Sequence, residues 1–135
     1  MTPVMPGVVL GDRTHDYPLD PWLIFHALTV DRELWLGLHP GEVLPDVVDS
    51  VENERVVWSS FWPVSPDDTI EISLVGLRPE GSRLRFVWRS TSPPDERGIG
   101  ITRQRLHTNF GGNLRGWIAG WGWDLRRGRP RSPET

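Results

Sequence analysis

The sequence predicts an α+β fold: an antiparallel sheet curved around one long C-terminal helix, with two short helices after the first strand. Three observations predict it. Between residues 69 and 89 the apolar side chains alternate, with Ile70, Ile72 and Leu74, then Leu84, Phe86 and Trp88, set against Glu71, Ser73, Arg83, Arg85 and Arg89. A period of two with one wet and one dry face marks antiparallel strands covered on one side only. From about Gly98 to Leu125 the period changes. Leu106, Phe110, Leu114, Trp117, Trp121 and Leu125 recur at three- and four-residue steps, an arc of roughly 100° on a helix and broad enough to cover that dry face. Finally, no βαβ alternation follows these antiparallel strands, which argues against a Rossmann-type sheet.

The remaining elements follow in order. Residues 1–6 read as a loose lead-in, and residues 7–17 as a first strand. Asp20-Pro21-Trp22 starts a helix, with Asp at the cap and Pro at the first helical position. Trp22, Phe25, His26 and Leu28 continue it at the spacing of one buried face. A second short helix runs from Asp31 through Leu36 and stops at Gly37 and Pro40-Gly41. Val47–Val51 and Arg55–Phe61 are β-rich runs joined by Glu52-Asn53-Glu54, a hairpin-like connection. Pro63 to Asp68 is a loop, and Pro79-Glu80-Gly81-Ser82 a turn. Gly111-Gly112 is the weak point of the long helix, because each mid-helix Gly costs about 1 kcal/mol relative to Ala; a kink or a break is expected there. Residues 7–125 therefore read as one domain and 126–135 as a disordered basic tail.

Composition narrows the function classes. At 135 residues the chain is long enough to bury one core without disulfides or metal. Cys is absent, which excludes thiolate zinc sites and Cys nucleophiles. No apolar run approaches the roughly 18 residues of a membrane span, and residues 1–16 lack the pattern of a secretory signal, so a cytoplasmic location is expected. The net charge of -3 is uneven: seven Arg against fourteen acids in residues 1–94, eight Arg against four acids beyond. A solvated helix face and a basic tail account for this, and a nucleic-acid partner is not expected. Within the tail, Arg127-Gly128-Arg129-Pro130 matches the core of an AT-hook, whose extended strand enters the A·T minor groove; a single copy is weak support. The four His show no H-x-x-x-H or H-x-H spacing, so no metal is expected. No phosphate-binding glycine loop or G-x-S-x-G elbow is present, and no cofactor is expected.

Several stretches carry a resemblance when taken in order. They are Asp20-Pro21-Trp22-Leu23-Ile24-Phe25-His26-Ala27-Leu28-Thr29, Arg55-Val56-Val57-Trp58, Thr69-Ile70-Glu71-Ile72-Ser73-Leu74, Gly81-Ser82-Arg83-Leu84-Arg85-Phe86, and Asn113-Leu114-Arg115-Gly116-Trp117 with Gly120. Together they resemble the START-like or SRPBCC superfamily, whose helix-grip fold is found in the birch pollen allergen, polyketide cyclase-like proteins and relatives of the heat-shock chaperone's ATPase activator. The resemblance implies a hydrophobic cavity between sheet and long helix. It leaves the chemistry open, because the fold hosts carriers, cyclases, hydrolases and chaperone regulators. Superfamily members usually have six or seven strands, whereas five are readable here; a missing edge strand would make the cavity smaller or more open.

Such a cavity would be lined by Trp58, Ile72, Leu74, Phe86 and Trp88 from the sheet and by Phe110, Leu114, Trp117 and Trp121 from the helix. The same residues also suit a filled core. Arg103 and His107 fall within or beside the helix's apolar arc. An imidazole is the usual general acid or base near neutral pH, and a guanidinium can hold a carboxylate or enolate oxygen. The expected function is binding of a hydrophobic small molecule, either a lipid, a polyketide or an aromatic. Whether turnover accompanies binding stays open, and the alternative is a non-catalytic interaction module. Gly112, Gly116 and Gly120 form a small-residue stripe that would let a second copy approach, as in a homodimer.

Overall fold

The computed structural model describes residues 7–126, with side chains described as far as residue 120. Strands β1 (Val8–Tyr17), β2 (Val47–Val51), β3 (Arg55–Trp58), β4 (Thr69–Gly76) and β5 (Ser82–Ser90) form one antiparallel sheet in the order β1-β5-β4-β3-β2. Helices α1 (Pro21–Thr29) and α2 (Arg32–Trp35) join β1 to β2. The long C-terminal element consists of α3 (Glu96–Thr108), a π-helical turn (Asn109–Leu114) and α4 (Arg115–Arg126). This is the expected helix-grip arrangement. The lead-in at 1–6, the tail from 127 with its AT-hook-like residues, and the side chain of Trp121 lie outside the described residues.

The alternation in β4 and β5 sets the register. Ile70 pairs with Trp88, Ile72 with Phe86 and Leu74 with Leu84, and all six are buried. Each such side chain contributes about 1.5–3 kcal/mol on leaving water. Arg83 and Arg85 point outward and meet Asp16 and Asp12 of β1 at 2.8 and 2.6 Å. Those pairs are half exposed and stabilise little, so the register of β1 rests mainly on the inner face. Two turns need residues that tolerate positive φ: Asn53 between β2 and β3 at 62°, and Gly81 between β4 and β5 at 107°. A Cβ at Gly81 would also stand 2.8 Å from the Tyr17 carbonyl oxygen, so only glycine fits.

The helix begins two residues before the expected Gly98. Asp95 caps it by accepting from the Gly98 amide at 2.8 Å. Gly111-Gly112 does not break it; the backbone widens into the π-helical turn instead. Leu106, Phe110, Leu114 and Ile118 then form the buried stripe, all with zero exposure. In a regular α-helix a four-residue step drifts by about 40°. The wider turn, with its i→i+5 pattern, offsets that drift. Ile118 therefore continues the stripe where sequence periodicity points to Trp117, and Trp117 is only partly buried at the margin of the core.

Aromatic rings fill the space between sheet and helix. Phe110 stacks on Phe86, with centroids 4.7 Å apart, and on Trp58 at 5.6 Å. The indole N–H groups of three buried tryptophans are satisfied, as burial demands. Trp35 donates to the Ala27 carbonyl, Trp58 to the Leu28 carbonyl and Trp88 to the Asp68 carboxylate. Truncating Phe110 to Ala should cost about 3–5 kcal/mol. Trp117→Ala should cost clearly less, although it deletes a larger ring. Urea denaturation of the two variants checks this; a larger loss at Trp117 would contradict the displaced stripe.

Candidate functional site

A cleft of about 390 Å³ lies where β1 meets α3, lined by Val9, Leu10, Gly11, Asp12, Arg13, Phe86, Gly100, Arg103 and Gln104. Local sequence explains its shape. The pairing of β1 with β5 shifts between Val9 and Gly11, a bulge that places Leu10 in the core while its carbonyl accepts from Arg103 Nε at 2.5 Å. Bulges re-aim strand residues in this way beside binding sites. Beyond the bulge, Asp12 and Asp16 point outward to their arginines, and Gly11, Arg13, His15 and Tyr17 share the inner face. Gly11 keeps the floor low: a Cβ there would touch the Trp88 ring at 3.4 Å. Gly100 on α3 is open, because a Cβ at that position would meet nothing within 4 Å.

Further along the same seam two imidazoles meet. His15 stacks on His107 with centroids 5.4 Å apart and on Phe86 at 6.0 Å. Among the described residues, His15 Nε2 and His107 Nδ1 are buried without a hydrogen-bond partner. The π-helical turn passes close beneath the pair: a Cβ on Gly111 would come within 3.3 Å of His15 Cε1 and 3.4 Å of His107 Cε1. Tyr17 donates its hydroxyl to the Phe110 carbonyl inside that turn at 2.7 Å, and burial pushes its pKa well above the ordinary phenol value, so the hydroxyl keeps its proton. Burial, then the charges of His107, Arg115 and Arg13, hold His15 below the ordinary imidazole value of 6.5, with Asp16 pulling weakly the other way.

The structure places the sequence-predicted residues in three groups. Trp58, Ile72, Leu74, Phe86, Trp88, Phe110 and Leu114 pack together in the core, with Trp117 at its margin. Of these, Phe86 also borders the cleft, and so does Arg103. His107 lies on the same seam, against His15. Sequence reasoning missed Val9, Leu10, Gly11, Asp12, Arg13, Gly100 and Gln104 of the cleft, and His15 of the seam. The available signal was the alternation of β1, which sets Arg13 and His15 on one face, but polar residues on both faces concealed it. Gly112 and Gly116 would present added Cβ atoms to open space.

A second polar cluster braces the far side of the helix. Arg105 pairs with Glu42 at 2.6 Å, with side chains only 10% and 8% exposed. It also donates to the Asn109 side-chain oxygen and the Gly37 carbonyl. Burial raises the Glu42 carboxyl, but the hydrogen bonds from Arg105 and from the His39 amide outweigh it and leave the group below its usual range. This cluster ties the α2–β2 connection to the helix. Among the described residues, no group of three or more His, Cys, Asp or Glu is placed to hold a metal ion, and no helix is long and apolar enough to cross a membrane.

No family model matches the chain, and no curated protein matches it in sequence. Solved structures match it in fold. CalU16 from Micromonospora echinospora superposes with a TM-score of 0.62 at 18% identity, over 91% of this chain and 76% of its own. An HSP90 activator from Plasmodium falciparum gives 0.58 at 14% identity, over 90% of this chain and 98% of its own. The Aha1 dimer from Colwellia psychrerythraea gives 0.57 at 17% identity, over 73% and 88%. The likeness is one of fold, and that fold is the helix grip.

The depressed basicity of His15 has a measurable consequence. The unfolded chain takes up that proton as pH falls through about 6.5, while the folded chain resists it, so stability drops with pH across that window. Urea midpoints at about pH 7.5 and 5.5 should fall in the wild type and fall less in His15→Phe, which keeps the stack on Phe86. Equal losses in both proteins would show that His15 does not titrate as its burial requires.

Proposed function

We propose that the protein binds a small molecule with an apolar body in the cleft between β1 and α3. The observation that carries this reading is the cleft itself, with Arg103 on its wall. At about 390 Å³ it lies at the small end of the roughly 300–1,000 Å³ of ligand sites. Its position suits the fold: the aromatic interior is packed, and the open space lies at the β1 edge of the five-stranded sheet. A ligand of one or two rings suits that volume better than a long lipid. The assignment is binding rather than turnover, because His15 and His107, the imidazoles of the seam, do not border the cleft. A cytoplasmic location fits a Cys-free chain.

A second reading is a non-catalytic interaction module, such as a chaperone co-regulator. The filled aromatic seam favours it, and one protein of the same fold is an HSP90 activator.

Gly100 separates the two readings. Gly100→Leu adds an apolar side chain to the cleft lining at a position where a Cβ meets nothing within 4 Å, and leucine suits a helix better than glycine by up to about 1 kcal/mol. A ligand that binds only the folded state stabilises it by about 2.7 kcal/mol at a hundredfold excess over its Kd. In a thermal-shift screen of lipids, polyketide-like aromatics and steroids, hits should raise the melting temperature of the wild type. Gly100→Leu should melt no lower than the wild type and should not respond. Equal responses would remove the cleft as the site, and a screen without hits would favour the interaction module.

A further inference from the structure

We propose that the cleft selects an acidic ligand, a small ring-bearing molecule whose oxyanion sits between Arg13 and Arg103. The inference rests on the binding reading above and adds the chemical class of what is bound.

The charge balance of the lining carries it. Two guanidinium groups and one carboxylate border the cleft. The carboxylate, Asp12, is already engaged by Arg85 on the opposite face of β1, through two hydrogen bonds of 2.9 and 2.6 Å. Strand alternation enforces the division, since consecutive side chains point to opposite faces, Asp12 outward and Arg13 inward. Inside the cleft the positive charge is therefore unbalanced. Among the described residues Arg13 has no hydrogen-bond acceptor or acidic partner. Arg103 uses only Nε, which the Leu10 carbonyl holds. That bond orients the guanidinium and leaves its terminal amino groups free to donate. A planar fork with two parallel N–H groups matches an oxyanion in both geometry and charge.

The remaining lining fits the rest of such a ligand. Val9, Leu10 and Phe86 offer an apolar wall, Gly11 and Gly100 leave room against it, and the Gln104 amide can donate or accept beside the anion. A hydrophobic molecule without a charge would leave both arginines to water alone. An acid would use the wall and the cations together.

Calorimetric titration with three probes that share one naphthalene ring tests this: 1-naphthaleneacetate, its near-isosteric neutral amide 1-naphthaleneacetamide, and 1-naphthyl phosphate. At least one anion should bind about tenfold or more tightly than the amide, the worth of a charge-assisted hydrogen bond. The tighter of the two anions distinguishes a carboxylate from a phosphate ester. Arg13→Gln should remove about tenfold of the anion's affinity and leave the amide unchanged; because Arg13 is exposed and unpaired, this variant should fold as the wild type does. Added salt should weaken the anion only. Gly100→Leu should abolish binding of all three. Equal affinities for anion and amide, both lost in Gly100→Leu, would overturn the acid proposal and leave the cleft as a binding site. Binding that survives Gly100→Leu, or no binding of any probe, would overturn both.

Discussion

The wide turn at Asn109–Leu114 is the constraint on which the rest of the structure depends. A regular helix through those residues would carry Ile118 off the sheet. Instead Leu106, Phe110, Leu114 and Ile118 stay in line and fully buried. The same turn offers the Phe110 carbonyl to Tyr17 and brings Gly111 under the His15–His107 pair. At its start, Asn109 accepts from Arg105, which is itself locked to Glu42. A buried pair of this kind costs about 3–5 kcal/mol to break by removing one partner. The turn is therefore fixed from β1 on one side and from the α2–β2 connection on the other. A glycine pair that would weaken a regular helix becomes the place where the helix fits its sheet.

This arrangement separates a dry interior from a polar seam. Phe110 stacks on both Trp58 and Phe86, so the protein's own rings occupy the middle of the grip. Polar groups collect along the line where β1 faces α3: Arg13, His15, Arg103, Gln104 and His107. The strand can carry them because it is an edge of the sheet and needs less apolar surface than β4 or β5. The bulge at Leu10 supplies one more aliphatic side chain to the core and one carbonyl to Arg103. The open cleft is thus the consequence of a polar edge strand laid against a long helix whose first half is glycine- and arginine-rich.

Much of this fold is legible in the sequence because its signals are strong and local. The alternation of Ile70 to Leu74 and Leu84 to Trp88 dictates two strands, their faces and their register. Asp20-Pro21 and Gly37 bound the short helices, and the stripe from Leu106 to Leu114 dictates the cover. The π-helical turn is not legible, because Gly111-Gly112 is equally compatible with a kink, a break or a wide turn; the choice is made by Tyr17, His15 and Glu42, none of them near in sequence. The candidate site is legible only in part. Arg103 and His107 stand out on a helical projection. Arg13 and His15 do not, because β1 lacks the hydrophobic alternation that would show which of its polar residues face inward. Seven of the residues expected around a ligand are the core itself, since sequence patterning identifies what is buried but not whether burial leaves a space.

The central claim is that the seam between β1 and α3 is where this protein meets a small molecule. Backbone amide chemical shifts, followed by NMR as 1-naphthaleneacetate is added, test it most directly. The account predicts shifts confined to Val9–Arg13 and Gly100–Gln104, with smaller changes at His15 and His107 and none along β2. Shifts centred on β2 or on the outer face of the sheet, with the β1–α3 seam silent, would contradict it.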